Sequence, residues 1–87
     1  LVLGYAERDG DRLFNSALAL DEGGRELAHH RKLQLYGARE KALYGAGEGY
    51  VLFDLRGVRC AILICYDVEF APHVAALAGR GAKALLV

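Results

Sequence analysis

One thiol in this chain stands where a nucleophile would have to stand. Cys65 closes the apolar run Ile62-Leu63-Ile64 and is followed by Tyr66-Asp67, so a strand should end there and a helix begin. A sulfur at such a turn is lifted out of the sheet and faces the positive end of the following helix, a setting that raises the thiolate fraction. Attack by the thiolate on an acyl carbon would create an oxyanion, which the backbone N–H of Tyr66 could bind. The competing reading is a packed core cysteine, since free cysteines are among the most buried residues. For Cys60, in mid-strand, only that second reading applies.

Lys32 and Glu40 are the other candidates. Lys32 follows His29-His30-Arg31 near a strand end, with Leu33 and Leu35 beyond it. A lysine whose apolar neighbours alternate to the other face can turn inward, where its ammonium would stabilise developing negative charge. A lysine in a basic tetrad is also what a solvated face looks like. Glu40 alone is an ordinary loop carboxylate, and Glu7, Asp67 and Glu69 are equally ambiguous. His29 and His30 are strand neighbours, so they diverge and cannot share one metal ion. The Gly45, Gly47, Gly49 spacing lacks the preceding strand and following helix of a phosphate loop. Cys60 and Cys65, read as one strand, would lie about 16 Å apart on opposite faces, too far for a disulfide. They read as free thiols of a reducing compartment, with no zinc pattern around them.

The elements that must position these residues follow from turn chemistry and periodicity. Leu1 to Tyr5, Leu13 to Leu20 and Arg25 to Leu35 read as three antiparallel strands. Their turns are Arg8-Asp9-Gly10-Asp11 and Asp21-Glu22-Gly23-Gly24. Ala38 to Tyr44 allows one or two helical turns among glycines. Tyr50 to Asp54 and Val58 to Cys65 form a second hairpin over Leu55-Arg56-Gly57. Pro72 to Ala78 predicts a helix with Pro in its first turn and a Val74, Leu77, Ala78 face for a sheet. Lys83 to Val87 begins another strand, so the ending is a right-handed βαβ unit and the class is α/β with a mixed sheet.

Composition narrows the partners. Eleven Lys and Arg balance eleven Asp and Glu over 87 residues, with 54% hydrophobic residues. That balance leaves no electrostatic footprint for nucleic acid or a membrane surface, and the hydrophobic fraction excludes disorder. The apolar run Ala61 to Cys65 is far below the roughly 18 residues of a membrane span. Both ends read as apolar strands needing neighbours, so an internal segment of a larger domain is expected.

The motifs then fall into one register. His30-Arg31-Lys32-Leu33-Gln34-Leu35-Tyr36-Gly37, Glu40, Gly47, Gly57-Val58-Arg59 and Ile62-Leu63-Ile64-Cys65-Tyr66-Asp67-Val68-Glu69-Phe70 resemble the nitrilase superfamily of carbon–nitrogen hydrolases, specifically its amidase-like members. Gly4-Tyr5, Arg8, Asn15-Ser16-Ala17 and Arg80-Gly81-Ala82 fit the same pattern, so the likeness covers nearly the whole chain.

The resemblance implies an α/β sandwich that stacks in dimers as αββα, with residues 1–87 forming the central part of one hydrolase domain. It implies a Glu–Lys–Cys triad in which Cys65 is the nucleophile, Lys32 the catalytic lysine and Glu40 an accessory glutamate near the active site. The triad glutamate normally lies upstream of the region that opens this chain, and no residue here matches it. A small amide or nitrile would be cleaved through a thioester, with no metal or organic cofactor. A cytoplasmic homodimer or larger homo-oligomer is expected. The departures are Phe70-Ala71-Pro72-His73 where Phe-Pro-Glu is usual, Gln34 for a common histidine, Ala61 for a glycine and Lys83 for an acidic residue. The alternatives are an inactive regulatory or structural module of the same fold, and a redox-sensing thiol protein. The latter lacks a resolving cysteine within reach.

Overall fold

Turn residues decide where this chain reverses. In the computed structural model, which describes residues 1–87, β1 (Val2–Asp9) returns as β2 (Arg12–Leu20) through Gly10, whose φ is +65°. The next reversal is organised by Asp21, whose carboxylate accepts the N–H groups of Gly23 and Arg25 at 2.9 and 2.8 Å. β3 (Glu26–Arg31) completes an antiparallel sheet in the order β1-β2-β3. After α1 (Gly37–Leu43), β4 (Leu52–Leu55) and β5 (Val58–Ile62) form a hairpin closed by Arg56 and Gly57. Both turn residues have positive φ, the backbone a two-residue hairpin needs to match strand twist. A 3₁₀ turn (Cys65–Glu69) leads into α2 (Ala71–Gly79), and β6 (Ala84–Leu86) returns parallel to β5.

Where one mixed sheet is expected from the sequence, the hairpins and the crossover occupy two. The β1-β2-β3 sheet and the β4-β5-β6 sheet share no ladder; they meet face to face. Ala17, Ala19 and Ala28 on the first pack against Phe53, Cys60 and Ile62 on the second. Small residues on one face let large ones interdigitate from the other, which is how close packing is reached without voids. The reverse face of the second sheet presents Ala61 and Leu63 to Leu77 of α2. Three layers result: sheet, sheet, helix.

Several boundaries differ from the sequence reading. β3 stops at Arg31 rather than Leu35, because the N–H groups of Leu33 and Gln34 are captured by a side-chain carboxylate instead of a ladder. β5 stops at Ile62 rather than Cys65, so the two cysteines do not share a strand; Cys60 is buried and Cys65 exposed, and both are free. On α2 only Leu77 of the expected face is buried; Val74 is 37% exposed and Ala78 is exposed too.

On the outer face of the first sheet, Glu7 is bound by Arg31 through Nε and Nη2 at 3.0 and 2.8 Å, with Ser16 and His29 adding hydrogen bonds. The Arg31 contact is the main reason its carboxyl is pulled down to about 2, against the opposing effect of burial. Glu7 therefore serves as an ion-pair centre tying β1 to β3.

Candidate active site

The backbone of Lys32 is held from both sides. Its N–H donates to the Asn15 carbonyl of β2 at 2.8 Å, and its own carbonyl accepts the N–H of Gly47 at 2.8 Å. Where β3 has ended, the Gly45–Gly47 stretch replaces it beside β2, with Gly45 bridging Phe14 and donating to Leu13. Only glycine fits at 47: a Cβ there would lie 2.3 Å from the Arg31 carbonyl oxygen. Gly47→Ala is expected to cost about 1–3 kcal/mol by forcing this strand apart. Denaturant unfolding checks it; unchanged stability would contradict the clamp.

The side chain of Lys32 does turn inward. It is 2% exposed, and its Nζ donates to Glu40 Oε1 at 2.8 Å. Glu40, from α1, also accepts the Tyr36 N–H at 3.0 Å. The Lys32 hydrogen bond first, and the Tyr36 N–H second, hold the Glu40 carboxyl below the usual carboxylate range. Glu40 is thus an anion whose partner is the buried ammonium. It takes one of that ammonium's three hydrogens, so two donors remain for another ligand.

Cys65 is the first residue of the 3₁₀ turn, and α2 begins only at Ala71. The dipole expected directly behind the sulfur is therefore that of a single tight turn, with the α-helix displaced by six positions. Its φ is +46°, a region that non-glycine residues enter at a cost. Such strain persists where surrounding structure imposes it, and it concentrates at functional sites. Strand-to-helix elbows that carry exposed nucleophiles share this strained turn. Cys65 is exposed and lines a cleft of about 610 Å³ together with Asn15, Ser16, Ile64 and Leu86. Tyr66 packs its ring edge-on against Tyr36 and Phe70, with centroids 5.0 and 4.9 Å away. Its backbone N–H remains the feature relevant to an oxyanion.

Lys32 and Cys65 are joined by a residue that the sequence left ambiguous. Asp67 is fully buried. Its Oδ1 accepts the N–H groups of Leu33 and Gln34 at 3.0 and 2.6 Å; its Oδ2 accepts from Ile64 N–H at 3.0 Å and from His30 Nε2 at 3.1 Å. Burial opposes its ionisation, but the bonds from His30, Ile64 and Gln34 outweigh that and hold the carboxyl below its ordinary range. The segment after Lys32 and the turn that begins with Cys65 are therefore pinned to one carboxylate. Lys32 and Glu40 touch directly, and Asp67 ties the segment after Lys32 to the turn that begins with Cys65. His30 and His29 do diverge, the latter to Glu7.

Known proteins resemble this chain along its whole length. The chain is 36% identical over 89 residues to a hydrolase in the pqqF 5′ region of Pseudomonas protegens, covering all of this chain and 31% of that protein. It is 36% identical over 87 residues to an (R)-stereoselective amidase from a Pseudomonas species, again covering all of this chain and 31% of the relative. Among solved structures, an amidase from Nesterenkonia superposes with a TM-score of 0.91 at 37% identity, over 97% of this chain and 33% of that one. The chain thus spans about a third of the length of the relatives it matches. No helix is long and apolar enough to cross a membrane. The family model described as carbon-nitrogen hydrolase matches residues 1–87, and the chain belongs to that family.

Proposed function

We propose that the protein carrying this chain hydrolyses the carbon–nitrogen bond of a small amide or nitrile through a thioester on Cys65. The observation that carries the reading is the exposed, positive-φ Cys65, tied through Asp67 to the segment that carries the buried Lys32. In this scheme a carboxylate outside residues 1–87 takes the thiol proton, and the thiolate attacks the substrate carbon. The Lys32 ammonium and the Tyr66 N–H stabilise the resulting anion. Glu40 orients Lys32 and the substrate or attacking water. For an amide, the nitrogen leaves after protonation, and water then cleaves the thioester. Residues 1–87 would be the central part of one such domain, working without a metal or organic cofactor, in a cytoplasmic homodimer or larger assembly.

The relatives' chemistry supports an amide substrate. One structure of a variant of the Nesterenkonia amidase holds butyramide, and another shows acrylamide added at its active-site cysteine. The test here is selective alkylation. Iodoacetamide should modify Cys65 first, with inactivation tracking that adduct, because Cys60 is only 4% exposed. Peptide mapping that finds Cys60 modified first, or full activity after Cys65 is blocked, would sink the proposal.

A further inference from the structure

We infer that Asp67, with His30 behind it, is a positioning residue that sets Lys32 against Cys65. The inference rests on the proposed thiol chemistry and names a residue pair that carries it. The four donors to Asp67 come from places that bracket both groups: His30 and Leu33 flank the Lys32 segment, and Ile64 directly precedes Cys65. A shift of Lys32 relative to the nucleophile must therefore break a charge-assisted hydrogen bond inside the protein, where such bonds are strong.

A histidine at position 30 is explained by this role and by little else. A carboxylate only accepts, so Nε2 must carry the hydrogen shared with Asp67. The other ring nitrogen, Nδ1, is buried without any hydrogen-bond partner. Burying a polar atom unpartnered is unfavourable, and an apolar side chain would fill the same space without that penalty. The single bond to Asp67 is what distinguishes histidine here from leucine.

The experiment compares His30→Gln, His30→Leu, Asp67→Asn and Cys65→Ala in the whole protein, measuring kcat, KM and thermal unfolding with a small amide. Glutamine places an N–H near the Nε2 position; leucine keeps the bulk and removes the donor. Asparagine's amide nitrogen, in place of Oδ2, accepts neither the Ile64 N–H nor the Nε2–H of His30, so two of the four anchors are lost. His30→Gln should stay within about threefold of the parent kcat, while His30→Leu and Asp67→Asn should fall toward about 10²-fold lower with KM little changed, the scale of a small misplacement of reacting groups. His30→Leu equalling His30→Gln in kcat, whatever its melting temperature, would overturn the inference. If Asp67→Asn does not fold, the two His30 variants decide. Turnover surviving in Cys65→Ala is a separate result, and it removes the underlying reading instead.

Discussion

Cys65→Ala is expected to abolish turnover in the whole protein, while Cys60→Ala leaves kcat nearly intact. A covalent nucleophile works as a unit with its base and oxyanion donors, so its removal costs on the order of 10⁴–10⁶ in rate. Alanine keeps a β-carbon and must still adopt the +46° φ imposed by the elbow, so the fold gains and loses little. Cys60 is the contrasting case. It sits between the sheets against Phe53 and Ile62, and its removal leaves a small cavity worth about 1 kcal/mol of stability. That loss would be read in unfolding, not in kcat. Equal rate losses in the two variants, or catalysis persisting in Cys65→Ala, would contradict the assignment.

Lys32→Met should lower kcat about 10²- to 10³-fold, the usual effect of deleting one oxyanion donor, with a well-formed fold. Methionine reproduces the length of the buried stem without the charge. Glu40, whose side chain is 29% exposed, can then be rehydrated and still accept the Tyr36 N–H, so no charge is stranded in the interior. Replacing a buried ion by an apolar side chain of similar volume is often neutral for stability. Kinetics and thermal unfolding on the same preparation separate the possibilities. A lowered melting temperature with unchanged kcat would make Lys32 merely the counter-ion of Glu40.

Local chemistry made much of this structure readable in advance. Gly10, Gly24 and Gly57 all adopt positive φ where turns were expected, and the three strands and second hairpin follow from them. The free state of both cysteines was also legible, and the inward turn of Lys32 was one of two readings its neighbours allowed; Cys65, expected to close β5, instead opens the 3₁₀ turn. What escaped depends on partners distant in sequence. Asp67 meets His30 across 37 positions, and no periodicity announces that meeting. The same carboxylate explains why β3 ends early, since it takes the N–H groups that a longer strand would have placed in a ladder. The end of β5 was hidden for another reason. Ile62-Leu63-Ile64 stays apolar because Leu63 lies beneath α2, not because a strand continues. Two facing sheets were likewise read as one, as alternation reports which side of a strand is buried and not what buries it.

The most direct test is to trap the intermediate. The whole protein would be mixed with butyramide or a slower acyl analogue, quenched in acid within a turnover, and mapped by mass spectrometry. A thioester-borne acyl group on the peptide containing Cys65, released by hydroxylamine and missing from Cys65→Ala, is the predicted result. Acyl transfer to any other residue, or turnover that proceeds with Cys65 unmodified at every quench time, would contradict the account.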